Sequence, residues 1–154
     1  MPEAAEPELF FDSSALFAGV ASSTGAGRAL LQLGEARAVA ITVSEQVVTE
    51  TERSLARRAP TALPFFRQAL RACHMRIVKG PAPAEVLAAR SFIAHEADVP
   101  LLVAAMKVKT GFLVTLNRRH FIEDPLVAQR SGLRIGTPGD ALAWVRGELA
   151  GNQS

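Results

Sequence analysis

Leu9-Phe10-Phe11-Asp12-Ser13-Ser14-Ala15-Leu16 decides how the whole chain is read. An apolar run ends in a carboxylate and two hydroxyls, and a second apolar segment follows at once. Such a run predicts a buried, parallel strand. Its last residue falls at the carboxyl end of the sheet, where open α/β folds place their ligands. Asp12 therefore has two readings: a charged group aimed at the site, or a cap of the next helix.

The 154 residues suffice for one domain with a proper core and are too few for two. Nearly half are hydrophobic (49%) and few are aromatic (6%), the balance of a globular rather than a disordered chain. Lys+Arg outnumber Asp+Glu by 17 to 15, a surplus too small to signal nucleic acid by itself. The positive charge is mostly arginine, the better residue for bidentate phosphate contacts. The lone Cys73 excludes an internal disulfide and fits a reducing compartment. No signal peptide is visible, and no apolar run reaches the roughly 18 residues of a spanning helix. A soluble, cytoplasmic protein without membrane contact is the expectation.

Outward from the first strand, apolar runs alternate with helical patterns. Residues 1–8 read as a tail, 9–150 as one domain and 151–154 as a frayed end. Ser14–Val20 and Arg28–Glu35 read as helices. The loop between them holds Gly25-Ala26-Gly27, a weak phosphate-loop pattern that follows no strand and lacks Gly-Lys-Ser/Thr. Val39–Val43 reads as a strand. Thr42-Val43-Ser44-Glu45 matches a capping box and opens a helix. Val43, Val47, Thr51 and Leu55 then share one face, with Glu50 at its edge and Glu45 and Glu52 toward water. Glu50 reads either as a carboxylate held near the core or as an ordinary boundary glutamate.

Phe65–Ala72 reads as a helix and Met75–Val78 as an edge strand. Gly80-Pro81-Ala82-Pro83 is a break. Ala84–His95 reads as a helix with Val86, Leu87, Ser91 and Ile93 inward. Asp98-Val99-Pro100 opens a buried helix over Leu101–Met106, and locally Asp98 reads best as its cap. Phe112–Leu116 is a further buried strand, ending in the polar cluster Asn117-Arg118-Arg119-His120. Leu133–Ile135 is the last strand, and Ala141–Leu149 the last helix, with Trp144 as its larger contact. Alternating strands and helices imply a parallel sheet covered on both faces.

If the first strand and Phe112–Leu116 are neighbours, Asp12, Glu50, Asp98 and Asn117 converge. Three carboxylates and an amide oxygen form a hard, oxygen-only site, suited to Mg²⁺ or Mn²⁺ rather than Zn²⁺. Clustered carboxylates repel, and a divalent cation keeps them ionised. A cation so held can bind a phosphate oxygen and activate water, which is phosphodiester hydrolysis. Arg118 and Arg119 either hold a nucleic-acid backbone or form a solvated loop.

The opening stretch resembles the first motif of PIN-domain proteins. Val43-Ser44-Glu45-Gln46-Val47-Val48-Thr49-Glu50 resembles the second, and Asp98-Val99-Pro100-Leu101-Leu102-Val103-Ala104-Ala105 the third. Phe112–Phe121 resembles the fourth, and Gly132-Leu133-Arg134-Ile135-Gly136-Thr137-Pro138 the closing strand and helix start. The resemblance covers about residues 9–149, in order and spacing. It implies a three-layer α/β/α fold with a central parallel sheet. It also implies a Mg²⁺- or Mn²⁺-dependent ribonuclease, as in the toxin halves of bacterial toxin–antitoxin pairs. Carried over, Asp12, Glu50 and Asp98 are metal-binding carboxylates, and Ser13 and Thr115 orient them or a water. An antitoxin partner and a homodimer come with the resemblance. The fourth motif departs from the pattern: many members carry an acid at the position of Asn117 or of His120. Asn117 offers an uncharged oxygen, which puts a second metal in doubt, and Asp124 is a nearby substitute.

Two other readings stand beside the nuclease. A PIN-like domain that binds RNA or a protein without cleaving needs the arginines and not the full acid set. An unrelated doubly wound phosphatase or receiver domain lacks its acids here: Ser14 stands where the former needs one, and Glu3, Glu6 and Glu8 are poorly placed for the latter.

Overall fold

A computed structural model describes residues 5–152. Strand β1 (Glu8–Phe11) lies at the centre of a five-stranded parallel sheet in the order β3-β2-β1-β4-β5. Its neighbours are β2 (Ala40–Ser44) and β4 (Phe112–Val114), with β3 (Arg76–Val78) and β5 (Ile135–Gly136) at the edges. Leu9 pairs with Ile41 on one side and Phe112 on the other.

The sheet is apolar on both faces. Leu9 and Phe11 point one way with Phe112 and Val114, and Phe10 points the other way with Leu113. Strand periodicity alone sends neighbours to opposite faces. The first face packs against helices α1 (Ser13–Ala21), α2 (Ala26–Glu35), α3 (Glu45–Arg58), α4 (Leu63–Ala72) and α8 (Pro138–Asn152). The second packs against α6 (Val99–Lys107) and α7 (Pro125–Ser131), with Val86 of the short α5 (Pro83–Ala88) half-buried beside them. The three-layer α/β/α arrangement is thus as the sequence implies.

Local chemistry fixes most boundaries. The Ser44 hydroxyl accepts from Val47 N at 3.1 Å and caps α3, whose end carries Arg57 and Arg58 at the negative pole of its dipole. The capping residue is Ser44 rather than Thr42, and Val43 stays in the sheet. Val47, Thr51 and Leu55 form the buried face as expected. Thr137 and Asp140 cap α8 reciprocally, at 3.0 and 3.2 Å. Cys73 is buried, and its thiol donates to Leu31 O.

Several expectations are corrected. Glu8 belongs to β1 and pairs with Ala40, so the sheet starts inside the expected tail. Residues 1–4 lie outside the described part. Helix α8 runs through Gly151 to Asn152 instead of fraying, and 153–154 are outside the described residues. The expected helix Ala84–His95 ends at Ala88, where short-range turns replace the α pattern: Ala89 N bonds Val86 O, and Phe92 N bonds Ala89 O. Ile93 is buried, but Leu87 is 60% exposed and Ser91 is exposed, so that inward face does not exist. Strand β4 stops at Val114, because Leu116 N is taken by the Ser14 hydroxyl rather than by a strand. Strand β5 is shifted to Ile135–Gly136, although Leu113 N already bonds Arg134 O at 2.8 Å.

Gly25 and Gly27 do not form a phosphate cradle. Gly25 precedes α2 at φ +96°, a backbone only glycine adopts easily. Gly27 packs against Gly19 of α1, where an added Cβ would meet Gly19 N and Cα at 3.1 Å. Arg28 then donates to Gly19 O and Val20 O, which closes the last turn of α1. Among the described residues, no helix is long and apolar enough to cross a membrane.

Candidate active site

The strand order reverses around β1: the chain leaves it toward β2 and β3, then returns to its other side at β4. The crevice at the carboxyl ends of β1 and β4 is the switch point, where such sheets bind ligands. Asp12 follows β1, and Thr115-Leu116-Asn117 follows β4. Asp12, Ser13, Ser14, Gln46, Glu50, Asp98 and Asn117 line one cavity of about 200 Å³ there. The expected acids are therefore brought together, from β1, α3 and the turn before α6.

Asp12 both caps α1 and lines the cavity. Oδ1 accepts from Ala15 N at 2.8 Å, capping α1, and from the Ser14 hydroxyl at 2.7 Å. Oδ2 accepts from the Thr115 hydroxyl, which in turn accepts from Asn117 N at 2.9 Å. A carboxylate offers about four lone-pair directions, so Asp12 keeps one on Oδ2. Burial pushes its carboxyl above the ordinary 3.8, against the pull of its hydrogen bonds, and the Asp98 charge adds to the rise.

Asp98 does not cap α6: its side chain bonds no backbone N–H there. Its buried Oδ2 lies 2.7 Å from His120 Nδ1, which pairs with it when the ring is protonated there. Glu50 is half-buried and accepts from Gln46 Nε2 at 2.9 Å. Thr115 donates its hydroxyl to Asp12 Oδ2. The partner role expected of Ser13 falls to Ser14, which ties Asp12 to Leu116 N at 3.0 Å, while Ser13 lines the cavity. The Asp12-x-Ser14 spacing, which lets a hydroxyl reach back to a carboxylate, was the available signal. Gln46 carried no comparable signal.

Asn117 lines the cavity, but its Oδ1 accepts from His120 N at 3.1 Å and shapes the turn Arg118–Ile122. Arg118 and Arg119 are exposed on that turn, and Arg119 lines an adjacent cavity with His95, His120 and Asp124. Asp124 caps α7 through Leu126 N at 3.0 Å and faces that second cavity, not the one beside Asp12.

The donor set fits a divalent cation on two grounds. Asp98 keeps a buried oxygen whose nearest polar neighbour is an imidazole, a donor only when protonated there, and burial, with the Asp98 charge adding to it, raises the Asp12 carboxyl. Asp12, Glu50 and Asp98 would hold the ion, with hard oxygen donors.

The chain is thus a doubly wound parallel-sheet domain with acids clustered at its switch point. The profile of the PIN-domain family matches residues 8–119, and the chain belongs to that family. The PIN domain is generally a metal-dependent nuclease fold. The chain is similar to the PAE2754 protein of Pyrobaculum aerophilum, whose crystal structure superposes with a TM-score of 0.62 at 17% identity. That likeness covers 92% of this chain and 90% of the other, and it concerns the fold. No curated protein matches the chain.

Proposed function

We propose that the protein is a Mg²⁺- or Mn²⁺-dependent endoribonuclease of the PIN type, acting on RNA phosphodiester bonds. The observation that carries this is the convergence of Asp12, Glu50 and Asp98 on one cavity at the switch point. When bound, a divalent cation supplies Lewis acidity for phosphodiester hydrolysis. The chain's own residues do the positioning. Thr115, Ser14 and Ala15 N fix the Asp12 carboxylate, and Gln46 holds Glu50. Arg118 and Arg119, exposed beside the cavity, contact the RNA backbone. A cytoplasmic toxin restrained by an antitoxin, acting as a homodimer, is the biological setting we infer from the family.

A non-cleaving PIN-like domain is the second reading. It is favoured by Asn117, whose oxygen is already engaged by His120 N. Calorimetry with Mn²⁺ and an RNA cleavage assay, on wild type and on Asp12→Asn and Asp98→Asn, separates the two. The nuclease reading expects wild type to bind and cleave, and both variants to lose cleavage while keeping the fold. Full cleavage by folded Asp12→Asn sinks the site. Metal binding without cleavage across an RNA panel supports the second reading.

A further inference from the structure

His95, Asp98 and His120 each present a ligand atom, all within 4.8 Å of one another; Asp98 also lines the Asp12 cavity, and the two histidines line the adjacent one. We propose that this trio binds a transition-metal dication of the Zn²⁺ or Co²⁺ type, beside the oxygen site around Asp12, with which it shares Asp98. The inference needs only these side chains and stands whether or not the Asp12 cavity cleaves RNA.

Geometry carries it. Asp98 Oδ2 lies 2.7 Å from His120 Nδ1 and 3.7 Å from His95 Nδ1. Tetrahedral zinc with bonds of about 2.0–2.1 Å spaces its ligand atoms by about 3.3 Å, between those two values. The imidazole rings of His95 and His120 stack at 4.2 Å and 17°, so they are already aligned beside the carboxylate. The apo arrangement is also internally unsatisfied. His120 Nδ1 faces both Asp98 Oδ2 and, at 3.0 Å, the amide nitrogen of Asn117. With a proton on Nδ1 the ring opposes the amide N–H groups; without one, its lone pair opposes the carboxylate. The amide cannot turn, because its oxygen accepts from His120 N. A cation between ring and carboxylate replaces that opposition with two bonds.

The ligand types set the selectivity. Imidazole nitrogen with carboxylate oxygen suits Zn²⁺, Co²⁺ or Ni²⁺, whereas Mg²⁺ demands oxygen. Three protein ligands leave a position open, and His95 and His120 line the adjacent cavity of about 260 Å³ together with Arg119 and Asp124. A bound anion there would meet both the ion and a guanidinium.

Stripped, full-length protein is titrated with Co²⁺, followed by visible absorption and by the histidine ring proton resonances. The chain has 3 histidines, and His74, in the turn after α4, is the internal control. We expect His95 and His120 to broaden well before His74. We expect His95→Ala with His120→Ala to weaken Co²⁺ and Zn²⁺ binding by roughly a hundredfold and to leave Mn²⁺ binding at the Asp12 cavity in place. His95→Ala alone alters an exposed side chain and guards against misfolding of the double variant. Asp12→Asn should keep Co²⁺ affinity while losing the oxygen site, so the two readings fail separately. Simultaneous broadening of all three histidines, undiminished Zn²⁺ binding by either histidine variant, or loss of Co²⁺ binding in Asp12→Asn would overturn the inference.

Discussion

Asp12 serves two structures with one carboxylate, and its pH response follows. Burial first, and then the Asp98 charge, raise its carboxyl above 3.8. Between 3.8 and that higher value, the folded protein keeps a proton that the unfolded chain has lost. Stability therefore falls as pH rises through the window and stays lowered above it. Asn keeps the cap and carries no charge. Asp12→Asn in EDTA should be more stable than wild type near pH 7, a gain that vanishes below the window. Urea unfolding at about pH 3 and pH 7 checks this. Mn²⁺ should reverse the order, because only wild type gains binding free energy. Thr115→Val should cost about 1–3 kcal/mol and weaken Mn²⁺ binding, since it strips the donor from Asp12 Oδ2. At this scale the sequence spoke unevenly. Asp12 was legible because cap and ligand both want an acid after a strand. Asp98 was legible as one of the converging acids but not from its own surroundings: local rules made it a cap, and tertiary placement leaves its side chain free of backbone.

Helices α1 and α2 approach until Gly19 and Gly27 touch, backbone against backbone. Gly27→Ala should force them apart and cost about 1–3 kcal/mol, lowering the thermal midpoint while Mn²⁺ binding survives. An unchanged midpoint would mean that the pair separates without penalty. The same pair explains a misleading sequence signal. A Gly-x-Gly near a helix start serves close packing as readily as phosphate, and spacing cannot distinguish them. Helix α3 was legible because Val47, Thr51 and Leu55 repeat at the helical period. Helix α5 was over-extended because Ala84–His95 contains no breaker. Its course after Ala88 depends on distant groups, such as Arg130 donating to Ser91 O at 2.8 Å.

At the scale of the molecule, charge is local. The net charge of +2 steers little, so RNA affinity should reside in the turn carrying Arg118 and Arg119. Substituting either with Ala should raise KM several-fold, leave kcat nearly unchanged, and reduce the salt slope of binding by about 0.7 per contact. Unaltered salt dependence would place the RNA elsewhere. The layered architecture was readable throughout, because buried parallel strands must appear as apolar runs separated by helices. Strand ends were less so, since Ser14 and Leu116 settle the end of β4 from opposite parts of the chain. That separation has a consequence in time. Asp12 meets Thr115 across 103 positions of sequence, whereas Asp12 and Glu50 emerge early. A nascent chain on the ribosome thus holds acids without their alignment until the fourth strand is made. If the site cleaves RNA as proposed, the cell that makes the protein is spared that cleavage for most of the journey.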